Sequence, residues 1–509
     1  MTFARAHILP RSGTKRELLR KKGQFWTPDW IADVMVAYVL QGKPGRLFDP
    51  AVGQGAFFHA AKRYEQANSI SLELLGYDID KDVVNQARKS GLSDGDLRHV
   101  AIRDFVLNPP EETFPAIIAN PPYIRHHRLT VEQKQNLSEF AFRATGRRID
   151  GRAGLHVYFL IRALQSLAPE GRLAYIVSAD ICEGVFAHAL WQWISAHYRL
   201  DGVITFSPEA APFPDVDTNA LIFFLRNMKP MTTFPWVKCL KRDAKNLISL
   251  FAGKTHNDDE GLQIFRRKLS EAIVTGLSRP PLESAHEHTL GDFATVMRGI
   301  VTGDNDFFFM TACRARELGI PNTFLTKALG RTRDVIGETF GTDDLKRLEA
   351  CGRPTQLLTI NGLRFDQLPT SIQTYLKEGE ERGLPNKPLI RTRNPWYRME
   401  VRKVPPIMFA YLGRRNARFI RNYAGVVPLT CLLCVYPKSD ALDFVERLWK
   451  VLSHPETIAN LSIVGKSYGA GAIKVEPRAL ERLPLPTALV QREKLDKFIH
   501  PRQDVLDFG

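Results

Sequence analysis

Asn120, Pro121, Pro122 and Tyr123 follow directly on an apolar run and precede three bases, in "IIANPPYIRHH". Neither proline carries an amide hydrogen for a sheet ladder. The pair therefore stops the strand, holds the backbone extended and presents Tyr123 on a stiff rim. A plain strand-ending turn, with Tyr123 packed on a neighbour, uses the same four residues, so the flanking segments have to decide. One of these, "LFDPAVGQGAFFHAA", ends a strand and opens a helix through Gly53 and Gly55. Two such glycines permit a tight turn and close approach of a ligand to the exposed amides of a helix start. Phe58 stands where a third glycine would complete a dinucleotide fingerprint, which weakens an NAD reading.

Asp78 closes "LLGYD" about 20 residues beyond that loop, the position from which an acid commonly accepts from ribose hydroxyls. "IRDFVLNPP" then supplies Asp104 and Phe105. Taken singly, each acid is also a suitable cap or turn residue. Together, three successive strand ends offer glycine amides, a ribose acceptor and an acid beside an aromatic ring, a set suited to an adenosine-containing cofactor.

Positioning these groups takes a layered scaffold. "GRLFDP", "LELLGYD", "PAIIAN", "GRLAYIVSA", "DGVITF" and "NALIFFLR" read as strands, and residues 29–40, 56–67, 81–89 and 154–168 read as helices. The alternation predicts an α/β fold, a parallel sheet covered on both faces, with the last two strands pairing antiparallel at one side. After residue 230 the regularity fades. "SRPPLESAHEH" at 278–288 has linker composition, and beyond it basic clusters mix with aromatics, as in "IRTRNPWYRMEVRK".

Lysine and arginine total 70 against 55 acids, a net charge of +15, which favours a polyanion such as nucleic acid. No apolar run is long enough to span a bilayer, and the basic N-terminus lacks a signal-peptide core, so a cytoplasmic, nucleoid-associated protein is expected. Cys431 and Cys434, the close pair among six cysteines, sit in the apolar "PLTCLLCVYP" and predict a buried strand of reduced thiols, with no zinc and no disulfide.

The ordered set "GQFWTP", "DPAVGQGAF", "GYDID", "RDF" and "NPPY", followed by a long downstream region, resembles the gamma-order (TaqI-like) amino-methyltransferases that act on DNA adenine. The resemblance is close over about residues 20 to 226 and general beyond. It implies a Rossmann-like class I methyltransferase sheet, a C-terminal mixed α/β target-recognition domain, S-adenosylmethionine as cofactor and double-stranded DNA as partner. Thr27 then approaches the methionine part of the cofactor, and Asp49, Ala51, Gly53 and Gly55 form its loop. Asp78 takes the ribose, Asp104 and Phe105 take the adenine, and Asn120 through Tyr123 form the catalytic motif. Phe213 contacts the far face of the target base. No metal is required.

Two residues depart from the family pattern, Gly154 where an acid is usual and His156 where a tyrosine is usual; His156 is expected to be a packed residue without a chemical role. The implied organisation is a basic arm at 1–22, a catalytic domain at 23–277, a linker at 278–288 and a recognition domain at 289–509. A monomer is expected. The short stretch ahead of "GQFWTP" implies that a cognate restriction endonuclease is a separate protein. Cytosine N4, RNA or protein glutamine remain alternative acceptors, as does a catalytically silent DNA-binding subunit.

Overall fold

The computed structural model describes residues 26–42, 45–182, 186–213, 219–253, 261–281, 287–410, 417–468 and 472–498. The basic arm at 1–22 and residues 282–286 of the expected linker lie outside the described residues. The chain divides into two compact units, one ending at Pro281 and the other starting at Leu282.

The first unit is built on one nine-stranded sheet: β1 (Arg46–Asp49), β2 (Glu73–Asp78), β3 (Val100–Ile102), β4 (Phe114–Ala119), β5 (Leu167–Ser178), β6 (Arg199–Phe206), β7 (Ala220–Arg226), β8 (Thr233–Cys239) and β9 (Leu262–Lys268). Its order is β3-β2-β1-β4-β5-β7-β6-β8-β9. β3, β2, β1, β4 and β5 pair in parallel, while β7 is antiparallel to both β5 and β6. The antiparallel pairing of the last two expected strands is therefore present, but β7 inserts between its neighbours. β8 and β9, which the sequence pattern did not announce, extend the sheet beyond β6.

The period-2 alternation of the strands splits the core into two layers. Phe48, Ile117, Tyr175 and Phe223 face one cluster, and Leu47, Ile118, Ile176 and Phe224 face the other. Covering both faces requires helices, and the expected ones form at Asp29–Val39, Ala56–Asn68, Val83–Lys89 and Leu155–Gln165. Pro28, extended at ψ 147°, sets the start of the first, whose Tyr38 ring stacks on Phe224 at 4.1 Å.

In the second unit a five-stranded sheet runs in the order Ala294–Arg298, Leu433–Pro437, Ile407–Ala410, Arg418–Asn422, Thr339–Phe340, beside a separate four-stranded sheet. The Leu442–Ser453 helix packs its apolar side on the same core as the larger sheet. Cys434 lies buried in its strand, whereas Cys431 precedes it; burial pushes the two thiols up to about 11 and about 12. No described helix is long and apolar enough to cross a membrane.

The register Asp49↔Gly76 brings the loop after β1 onto the end of β2. A Cβ on Gly76 would lie 2.2 Å from Val52 Cγ2 and 3.0 Å from the Asp49 carbonyl oxygen. Gly76→Ala is thus expected to lift the glycine loop, destabilising the unit by about 1–3 kcal/mol and weakening cofactor binding in parallel, as checked by urea melts and calorimetry on one preparation.

Candidate active site

The parallel strand ends build the site. Asp49 is fully buried at the end of β1, and its Oδ1 accepts from the Ala51 amide at 3.0 Å. The loop then turns through Gly53 at φ +52° and Gly55 at φ +80°. A Cβ on Gly55 would also meet Leu92 Cδ1 at 2.3 Å, so glycine is demanded there twice over. The Gly53 amide donates to Asp78 Oδ2 at 2.9 Å, and Asp78 Oδ1 accepts from the Asp80 amide at 2.8 Å. With the Ile79 backbone also bonded to the carboxylate, acceptor capacity still remains on Asp78 for a ligand hydroxyl.

Asp104 uses Oδ1 to accept from the Val106 and Leu107 amides at 2.8 and 3.0 Å, the cap role foreseen as its plain alternative. Phe105 is buried against Phe48 and Phe159. Both border a cavity of about 1040 Å³, which Thr27, Ala51, Gly53, Asp78, Asn120 and Pro122 also line. That volume is at the upper end of small-molecule sites, roughly 300–1,000 Å³.

Asp49, Gly55, Pro121, Tyr123 and Phe213 do not line this cavity. Asp49 lies behind it, and burial pushes its carboxyl up to about 8, with the charge of Asp78 adding to the rise. Its Oδ2 has no hydrogen-bond partner among the described residues. Burial likewise holds the Asp78 carboxyl above its ordinary value. Phe213 packs against the core layer that holds Ile222 and Phe224, beside a segment outside the described residues.

At the rim, Asn120 Nδ2 donates to Thr27 Oγ1 at 3.1 Å, joining two motifs 93 residues apart. Tyr123 is half-buried, its ring parallel to that of His156 with centroids 5.8 Å apart. Burial raises its hydroxyl well above the ordinary value, and the nearby Asp180 carboxylate raises it further. The far wall of the cavity comes from a region that motif reading passed over: Arg128, Leu129, Gln133 and Leu137 line it from the Val131–Thr145 helix and the turn before it. A capping box of Thr130 and Gln133 starts that helix, a signal legible as "TVEQ".

Residues 14–237 match the family described as N-6 DNA Methylase, and residues 280–505 match the C-terminal domain of Type II methyltransferase M.Eco57I. Residues 14–237 are thus similar to the N6-adenine DNA methyltransferases, and the remainder to the C-terminal part of a Type II methyltransferase. It is 24% identical over 491 residues to the Type II methyltransferase M.AccI of Acinetobacter calcoaceticus, covering 94% of this chain and 88% of that one. It is 26% identical over 487 residues to M.XamI of Xanthomonas campestris pv. amaranthicola, covering 92% and 85%. The Type IIL restriction-modification enzyme MmeI, solved in complex with DNA, shares the fold at a TM-score of 0.55 and 11% identity. That match covers 92% of this chain and 64% of the MmeI chain, so this chain spans just under two thirds of that enzyme.

S-adenosylmethionine is the cofactor of this methyltransferase family, and the cavity's residues fit it. The glycine loop allows close approach, Asp78 retains acceptor capacity, and Phe105 with Leu107 gives an apolar border.

Two outcomes follow from these acids. Asp78→Ala should weaken S-adenosylmethionine binding by about tenfold or more, since a hydrogen bond to a charged group contributes about 1.5–3 kcal/mol, while DNA binding measured by anisotropy changes little. Asp49 holds a proton in the folded chain that the unfolded chain loses at lower pH. Its contribution to stability is therefore complete below the ordinary carboxylate range and is lost as pH rises toward about 8. Asp49→Asn, which keeps the acceptor for Ala51, should flatten that decline in urea melts taken across the window.

Proposed function

We propose that the chain methylates N6 of an adenine rotated out of duplex DNA, as the modification enzyme of a restriction-modification system of the gamma-order type. The observation that carries this reading is the Asn120 amide at the wall of the same cavity as the glycine loop, tied by its donor end to Thr27. With Nδ2 engaged by Thr27, Oδ1 is the end of the amide suited to accept from a substrate amine.

The exocyclic amine of adenine is a poor nucleophile because its lone pair is delocalised into the ring. Hydrogen bonds from that amine to Asn120 Oδ1 and the Pro121 carbonyl would localise the lone pair on nitrogen and orient it. Pro122 brings no amide hydrogen to compete for those acceptors, and both prolines hold the carbonyl in place. S-adenosylmethionine, when bound, supplies an electrophilic methyl group. Thr27, Asp49, Ala51, Gly53, Gly55, Asp78, Asp104 and Phe105 would hold it, and Tyr123 with Phe213 would cover the faces of the extruded base, replacing lost stacking. The second unit is the candidate for reading sequence, and the net charge of +15 favours the phosphate backbone.

Incubation with unmodified genomic DNA and S-adenosylmethionine, followed by mass spectrometry of the nucleosides, should yield N6-methyladenine. N4-methylcytosine alone would move the target to cytosine, and no modified nucleoside would overturn the reading. Asn120→Ala should lower single-turnover transfer by about 10²–10³-fold with cofactor and DNA binding retained. Tyr123→Phe should keep most transfer, because a ring face rather than an oxygen is needed; normal extrusion of 2-aminopurine without transfer would instead require a proton-transfer role.

A further inference from the structure

His156 is the buried titratable group that the chemistry above leaves unused. It sits on the first turn of the Leu155–Gln165 helix, 4% exposed, in parallel stacking beneath Tyr123. Neither ring nitrogen has a hydrogen-bond partner among the described residues. The nearest carboxylate is Asp180, whose Oδ1 lies 3.7 Å from Nε2, just beyond hydrogen-bond reach. Buried imidazoles ordinarily commit at least one nitrogen, so a ring poised short of an acid is an exception that calls for a reason.

The surroundings hold the backbone of His156 firmly and its ring selectively. Tyr175 Oη donates to the His156 carbonyl at 2.6 Å, and the Leu155 amide donates to the Ile124 carbonyl at 2.9 Å, fastening the helix start to the residue after Tyr123. A Cβ on Gly154 would lie 2.8 Å from His156 Cε1 and 2.9 Å from both Nδ1 and the Ile124 oxygen. The imidazole occupies the space that any side chain at 154 would need. The two departures from the family pattern are therefore one matched pair.

We propose that His156 is a positioning residue of the catalytic loop: the neutral imidazole is the platform that sets the Tyr123 ring, and the charged imidazolium turns toward Asp180 and withdraws that platform. The inference rests on the reading of Tyr123 given under Proposed function. Tyr123 faces the ring from the loop, Asp180 from the turn after β5, and Tyr175 reaches the His156 carbonyl from β5. Burial raises both tyrosine hydroxyls well above their ordinary value, so neither changes charge near neutrality. Asp180 also accepts from Ser178 Oγ at 2.5 Å, which holds its carboxylate on the His156 side of the turn. Burial lowers the His156 value and the attraction of Asp180 opposes that, so the neutral platform is the form present at neutral pH.

The test uses the full chain labelled with ¹³C at histidine Cε1, and separately single-turnover methyl transfer to duplex DNA between about pH 5 and 8. The resonance missing from His156→Phe should titrate below an ordinary histidine, and Asp180→Asn should move its midpoint lower still. Titration like a free imidazole, or a midpoint indifferent to Asp180→Asn, overturns the proposal. At the upper pH, His156→Ala should slow transfer by about tenfold at unchanged cofactor Kd, and His156→Phe should recover most of that rate while losing the acid-side decline of the wild type. A rate for His156→Ala within twofold of wild type, no recovery in a His156→Phe protein that still binds cofactor, or an acid limb that survives in it, each overturns the proposal. Absence of transfer by the wild-type chain would instead sink the functional reading, and the ring titration would still decide the platform.

Discussion

The hydrogen bond from the Gly53 amide to Asp78 Oδ2 is the contact on which the cofactor end of the molecule depends. It exists because β1 and β2 are parallel neighbours with Asp49 opposite Gly76, so the loop leaving one strand must pass over the end of the other. The Val52 amide makes a second strap to the Tyr77 carbonyl at 3.1 Å. The first strap requires the left-handed turn at Gly53, and both require a residue without a side chain at Gly76. One strand register thus fixes the conformation of the glycine loop, the orientation of the Asp78 carboxylate and the start of the Ala56–Asn68 helix.

That geometry has an electrostatic cost. Asp49 and Asp78 lie near one another at adjacent strand ends, the first fully buried and the second partly so, and burial raises both. A carboxyl taken out of water, and one beside it of like charge, disfavour each other's ionisation. The fold therefore holds both acids toward their protonated forms, and the stability they contribute declines as pH rises through their raised values.

That Gly53, Asp78, Asp104 and Phe105 border one cavity was legible in the sequence because parallel strands bring their ends to one edge: a glycine turn, then an acid, then an acid-aromatic pair, each at the end of an apolar run. β8 and β9 were not legible. β9 reads "LQIFRRK", with charge in place of alternation, and its Arg267 is buried only because Glu271 and the carbonyls of Gly276 and Arg279 receive its guanidinium. No local period announces a burial that depends on a helix and a loop further along the chain. The far cavity wall is different in kind. Its capping signal was local, but a cap shows where a helix starts and leaves open what the helix faces. Tyr123 is the mixed case, since it both ends a strand as a rim residue and packs on a neighbour, and the neighbour, His156, stands 33 residues away.

The environment of Tyr123 also bears on which of two roles it can fill. A general base must spend part of its time deprotonated, and burial together with the Asp180 charge drives the phenol far from that condition at neutral pH. Its oxygen is engaged inward, in a hydrogen bond with the Ser178 backbone, which anchors the polar tip while the ring lies over His156. An anchored tip explains how a tyrosine can serve a role in which only the ring face meets the substrate. The hydroxyl limits how far the ring can swing, the prolines before it limit where the backbone can go, and the imidazole beneath limits its tilt. Three restraints from three separate segments hold the ring, which is the arrangement that the proposed stacking role would need and that a proton-transfer role would not.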